Sequence, residues 1–138
     1  ASLLGTDVVA YGDTFHYGGE GSEALHYNAP RSFSSATLTV TDDTGRVVAT
    51  REIGSGQAGE GNYTFDGLDH DGQPLPEGDY TFSIEALDDT GATVDVVTMV
   101  SGTVTEMDYG TGTPRPSIDG VAVGLENIVR LQSGTTES

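Results

Sequence analysis

The stretch Tyr80-Thr81-Phe82-Ser83-Ile84-Glu85-Ala86 decides the fold class. Apolar and polar residues alternate over it without a break, which is the period of a strand with one buried face. Tyr80, Phe82, Ile84 and Ala86 form the inward set. Just downstream stands Asp88-Asp89-Thr90-Gly91, and the same tetrapeptide, Asp42-Asp43-Thr44-Gly45, follows a second alternating segment, Ala36-Thr37-Leu38-Thr39-Val40. Aspartate caps a turn through its side chain and glycine supplies a positive φ, so each tetrapeptide reads as a hairpin connection. The return strands are expected at Val47 to Ile53 and Thr93 to Val100. Because the segments between them differ, the two hairpins belong to one sandwich and are not an internal domain repeat.

Farther out, Gly54 to Gly61 reads as a flexible connector, and Asp66 to Gly78 as a chain of turns leading into the Tyr80 strand. The character shifts again at Gly102-Thr103-Val104-Thr105-Glu106-Met107. Asp119-Gly120 is a two-residue hairpin signal between Ser117-Ile118 and Val121-Ala122-Val123. Leu125 to Leu131 is the last ordered piece expected, followed by a frayed polar tail over 132–138. With 20 glycines scattered so that a turn recurs about every 8–12 residues, the chain reads as all-β.

The 138 residues suffice for one ordinary domain or two very small ones. Val, Leu, Ile and Phe make up about 22% of them, close to the roughly 20% below which a highly charged chain stays disordered, so pattern decides in favour of folding. There are 22 acidic residues against five arginines and no lysine, for a net charge of −17. Long-range repulsion therefore excludes polyphosphate backbones and anionic membrane surfaces as partners, so neither nucleic acid nor membrane is expected. The same charge favours solubility in salty surroundings, where screening relieves self-repulsion. The absence of cysteine removes disulfides, thiolate metal sites and cysteine nucleophiles. No apolar run approaches the roughly 20 residues of a membrane helix. The opening Ala1-Ser2-Leu3-Leu4-Gly5 has no basic n-region, h-region or initiator Met, and reads as part of a longer or processed chain.

Several constellations invite chemistry. Asp66, Asp69 and Asp71 suggest calcium, but on an EF-hand frame Gly67 falls at the first ligand position and Gly78 at the bidentate glutamate. An acidic loop built on Asp-Gly turns accounts for them better. Gly54-Ser55-Gly56-Gln57-Ala58-Gly59 fits G-x-G-x-x-G, yet the sequel Asn62-Tyr63-Thr64-Phe65 reads as a strand, where a dinucleotide site needs a helix. His16, His26 and His70 are too dispersed for zinc. No G-x-S-x-G elbow is present. Asp42/Asp43 and Asp88/Asp89 belong in solvent-facing turns, where nothing raises a carboxyl pKa toward general-acid use. The absence of tryptophan removes the usual sugar platforms of a glycoside hydrolase. Asn62-Tyr63-Thr64 fits the glycosylation triplet, a pattern common by chance. No catalytic, cofactor-binding or metal-ligating residue is assigned, no cofactor is expected, and the chain does not read as an enzyme.

The segment from Phe65-Asp66-Gly67-Leu68-Asp69 through Leu75-Pro76-Glu77-Gly78-Asp79-Tyr80-Thr81-Phe82 resembles the W-D-G-x-D-x-x-G-x-x-L-P-x-G-x-Y-x-F signature of the flagellar hook-assembly (hook-capping) proteins, the FlgD family. Phe65 stands where that family usually carries tryptophan, an apolar swap with the same burial logic. The flanks are similar too. Leu3-Leu4-Gly5-Thr6-Asp7-Val8-Val9 is similar to the family's L-I-G-x-x-V opening, and Asp43-Thr44-Gly45-Arg46-Val47-Val48 to its D-x-x-G-x-V-V hairpin. Ser101-Gly102-Thr103-Val104 resembles its G-x-V segment, and Leu125-Glu126-Asn127-Ile128 its closing L-x-x-I.

The resemblance implies a fibronectin-III/immunoglobulin-like sandwich over 20–97, inserted into a small Tudor-like β-barrel built from 1–19 and 98–131. It implies a non-enzymatic subunit exported by the flagellar type III apparatus behind a disordered N-terminal segment that precedes Ala1. Such subunits associate into a cap at the distal tip of the growing hook and guide hook subunits into place. A cysteine-free chain with a modest core suits passage through a narrow channel unfolded. The resemblance carries no residue-level partner site. The alternative is an extracellular immunoglobulin-like module binding calcium, carbohydrate or protein.

Overall fold

The computed structural model describes residues 3–110 and 115–132. Among them are twelve β-strands and one 3-10 turn, Leu125–Asn127, with no α-helix. The strands form two sheets.

The alternating Tyr80 segment is the centre of the five-stranded sheet, as β7 (Gly78–Leu87). β4 (Ser35–Thr41) pairs along one edge of it, and β5 (Val47–Glu52) pairs outside β4. On the other edge, β2 (Thr14–Tyr17) pairs with Gly78 to Thr81 and the two-residue β8 (Thr93–Val94) with Ala86 and Leu87. The inward sets are those expected. Tyr80, Phe82 and Ala86 are buried with Ala36, Leu38 and Val40, and Ile84 is half-buried. Phe15 on β2 lies over Tyr80 with ring centroids 6.0 Å apart.

The seven-stranded sheet forms a half-barrel around β9 (Val97–Asp108), the longest strand. β1 (Asp7–Tyr11) takes one edge of β9 and carries β12 (Ile128–Gln132) on its far side. The other edge is shared end to end. β3 (Glu23–Ala29) pairs with Val97 to Met99 and holds β6 (Gly59–Phe65), while β10 (Arg115–Ile118) pairs with Val104 to Asp108 and holds β11 (Val121–Ala122). Asp119 and Gly120 close the β10–β11 turn with φ of 51° and 86°, as expected of a two-residue hairpin.

One apolar core runs through both sheets. Val8, Ala10, Phe65 and Val104 of the seven-stranded sheet belong to the same buried cluster as Leu38 and Phe82 of the five-stranded sheet. A second cluster, Tyr27, Ala29, Phe33, Ala36, Ala86 and Val94, closes the far end of the sandwich.

Two expectations are corrected. Thr93 to Val100 is not one return strand. β8 stops at Val94, the Val96 amide turns back to the Val94 carbonyl at 2.9 Å, and the chain leaves for the other sheet as β9. That two-residue-span bond is a γ-turn, which redirects the backbone too sharply for a strand to continue. Gly54 to Gly61 is ordered at both ends. Gly56 and Phe33 exchange backbone hydrogen bonds of 3.0 Å, and β6 already begins at Gly59. The Phe33 ring lies where a Gly56 side chain would stand, so the glycine permits the close ring approach. Gln132 closes β12, and the rest of the expected tail, 133–138, lies outside the described residues.

Candidate functional site

The turn-rich segment ahead of β7 is tied down residue by residue. Asp66 Oδ1 accepts the Leu68 amide at 3.0 Å, and Asp69 Oδ1 accepts the amides of Asp71 (2.8 Å) and Gln73 (3.0 Å). The Leu75 amide donates to the Gly67 carbonyl at 2.9 Å, and the Tyr80 hydroxyl to the Pro76 carbonyl at 2.7 Å. Gly67 has φ +79°, and a Cβ there would fall on the Tyr17 hydroxyl, which itself donates to the Gly21 carbonyl at 2.8 Å. Phe65 and Leu75 are the apolar anchors, both buried.

Arg51, on β5, was not singled out by the sequence, yet it clamps this loop. Its Nη2 donates to Asp66 Oδ1 and to the Leu68 carbonyl, both at 2.9 Å, and its guanidinium lies 5.3 Å from the centre of the Phe65 ring. The His70 amide donates to the Val48 carbonyl at 3.1 Å, so the loop covers part of the β5 edge. Between this loop and the Asp42 turn opens a cleft of about 570 Å³, lined by Arg46, Val47, His70, Pro74 and Tyr80 among others.

The two Asp-Asp-Thr-Gly turns have the same geometry. Asp42 Oδ1 accepts the Thr44 hydroxyl (2.6 Å) and the amides of Thr44 (2.9 Å) and Arg46 (3.0 Å). Asp88 Oδ1 accepts the Thr90 hydroxyl (2.6 Å) and the amides of Thr90 (2.8 Å) and Ala92 (2.9 Å), and its second oxygen accepts Arg31 Nη1 at 2.7 Å. The threonine hydroxyls head the interactions that hold both carboxyls below the usual range. Backbone amides hold Asp69 low as well. Burial pushes Asp66 up, but the Leu68 amide and Arg51 together outweigh it and leave its pKa lowered. These carboxylates are ionised turn caps, which is the opposite of what a general acid requires.

The structure does not bring the histidines together. His16 Nδ1 lies 2.8 Å from Asp79 and its Nε2 3.4 Å from Glu77; the hydrogen bond to Asp79 raises its pKa against burial. His26 Nε2 lies 2.8 Å from Ser101 Oγ, and burial, then the charge of Arg130, lower its pKa. Arg130 Nη1 donates to Glu60 at 2.7 Å, joining β12 to β6. Asn62-Tyr63-Thr64 lies inside β6, and Gly54 to Gly59 leads into that strand. Among the described residues no group of three or more His, Asp or Glu side chains is arranged to hold a metal ion.

Sequence reasoning passed over Glu23, the most perturbed acid with a raised pKa. At the start of β3 it is partly buried, and burial followed by the charge of Asp119 pushes its pKa up to about 7, with His16 opposing. Nothing local in Ser22-Glu23-Ala24 could reveal a neighbour as distant along the chain as Asp119.

Fold and loop together define an immunoglobulin-like sandwich whose core continues into a half-barrel. A family model described as the FlgD Ig-like domain matches residues 12–91, and the chain belongs to that family. The basal-body rod modification protein FlgD of Salmonella typhimurium is 36% identical over 93 residues, a match covering 62% of this chain and 40% of that protein. The protein of the same description from Escherichia coli K12 is 35% identical over 94 residues, with the same shares of 62% and 40%. The matched region thus spans about 40% of the length of these curated relatives. Among solved structures, FlgD from P. aeruginosa superposes with a TM-score of 0.82 at 26% identity, covering 96% of this chain and 99% of that one. FlgD from Xanthomonas campestris, described with hook capping essential for flagellar assembly, gives 0.80 at 24% identity over 94% of each chain.

Proposed function

We propose that this chain is the folded assembly portion of a flagellar hook-capping protein, a scaffold that acts without catalysis at the distal end of the growing hook. One observation carries this reading. The likeness to FlgD from P. aeruginosa extends over 96% of the chain, half-barrel as well as sandwich, whereas a freestanding immunoglobulin module needs only the latter. The carboxylates turned onto their own backbone amides favour a structural part for the signature loop over cation binding. On this reading the partners are hook subunits and further copies of the chain, and the route to the tip is the flagellar type III apparatus. We propose as well that the chain divides into a sandwich over 20–97 and a discontinuous Tudor-like unit over 1–19 and 98–131. β2, which pairs with β7, and β9, which pairs with strands of both units, straddle that division.

The test is electron microscopy of basal bodies from a strain deleted for the gene, with and without a plasmid copy. Rods that stop without hooks, and regain them with the plasmid, support the cap function. Normal hooks in the deletion strain overturn it.

A further inference from the structure

Where the β10–β11 hairpin meets the sandwich, two acidic residues line one small cavity of about 20 Å³, Glu23 at the start of β3 and Asp119 at the hairpin tip. The apolar side of this joint is Phe15, Val100, Ile118 and Val123, all buried in the common core. Its polar side is unbalanced. β3 contributes Glu23, the hairpin turn Asp119, β9 the uncharged Ser101, and β2 His16, whose positive charge opposes the raised pKa of Glu23. His16 is itself engaged by Asp79 and Glu77. Among the described residues the hairpin's side-chain tethers run to β9: the Asp119 amide donates to Thr105 Oγ1 at 3.1 Å, and that hydroxyl to the Ser117 carbonyl at 3.3 Å.

We propose that this joint is a proton-sensitive latch: with Glu23 protonated the hairpin seats against the sandwich, and with Glu23 ionised it is repelled through Asp119 and loosens. Burial and Asp119 disfavour the Glu23 anion, and pH has one direction here. Glu23 has a raised pKa in the folded protein, so its contribution is full below the ordinary carboxyl range and is lost as pH rises through about 7. His16, also raised, loses its charge in the same direction, which removes the cation opposing the two acids. The proposal stands independently of the hook-cap reading.

Two measurements on the same protein test it. Thermal unfolding of wild type and Glu23→Gln is followed from pH 5 to pH 8. The two melt alike at pH 5, and the variant gains by roughly 3–6 °C at pH 8, with a smaller gain in molar salt. A constant offset across that range overturns the latch. Because the chain has no cysteine, Ala122→Cys on the hairpin and Ser83→Cys on the exposed face of β7 can carry spin labels. The distance distribution is narrow at pH 5 and broader at pH 8, and stays narrow when Glu23→Gln is added. Identical distributions at both pH values overturn the proposal. Should Glu23→Gln not fold, carboxyl NMR of the wild-type chain decides the matter. A Glu23 midpoint near 7 that moves down in Asp119→Asn supports the latch, and a midpoint at the ordinary 4.5 contradicts it.

Discussion

The sheet around β7 and the sheet around β9 are made from the same kinds of residue, yet they differ in how tightly local pattern specifies them. β7 alternates strictly, is flanked by aspartate-capped turns, and has a loop clamped to the outer strand of its sheet. β9 carries Met99 and Val100 buried side by side, pairs with three strands in turn, and owes its place to partners far away in sequence. Local chemistry shapes the first region and long-range pairing the second, while one core joins them.

The sharpest way to break that contrast is to remove an anchor from each side. Phe82→Ala empties a buried site on β7 and is expected to cost about 3–5 kcal/mol in urea unfolding. Val104→Ala, at the start of the β9–β10 pairing, is expected to cost about 2 kcal/mol and to lower the same single transition. A second, separate transition would show that the core is divided.

A milder loss is expected from Arg51→Met, which keeps the packing over Phe65 but abandons Asp66 and the Leu68 carbonyl. We expect about 1–2 kcal/mol in the same assay, discounted for a pair that is partly open to solvent. Amide exchange should then rise in residues 66–75 and leave β9 unchanged.

The twin turns allow a finer comparison. Arg31 donates to Asp88 at 2.7 Å, whereas Arg46 stands 3.8 Å from Asp42, and both carboxyls are held below the unfolded value of 3.8. Their contribution is therefore present above about pH 4 and lost as pH falls. Asp88→Asn should flatten the acid limb of the stability profile more than Asp42→Asn, as read from melting temperature between pH 2 and pH 5. The smallest effect expected is none. Micromolar calcium should give no saturable rise in melting temperature, because Asp66 and Asp69 already accept their own backbone amides.

What could be read from sequence follows the same divide. The inward faces of β4 and β7, both Asp-Asp-Thr-Gly turns and the Asp119-Gly120 hairpin are local signals, and the structure has them in place. Of the half-barrel strands, β10 and β11 were legible from their Asp119-Gly120 turn and β12 as a last ordered piece. The others carry weaker alternation, and their place beside β9 was implied by the likeness of the flanks to a known family. The break between β8 and β9 escaped notice because Thr93 to Val100 is apolar enough to pass for one strand, and the γ-turn at Val94–Val96 leaves no mark in composition. Arg51 and Glu23 escaped for a related reason. Each acts through a residue brought close only by the fold, Asp66 for one and Asp119 for the other.

That both regions fold as one body around β9 is tested most directly by native-state hydrogen exchange along that strand at pH 6. The account predicts that amides of Val97 to Thr103 and of Val104 to Glu106 open with the same free energy, equal to that of global unfolding. Early exchange confined to Val104 onward, with the sandwich still protected, would contradict it.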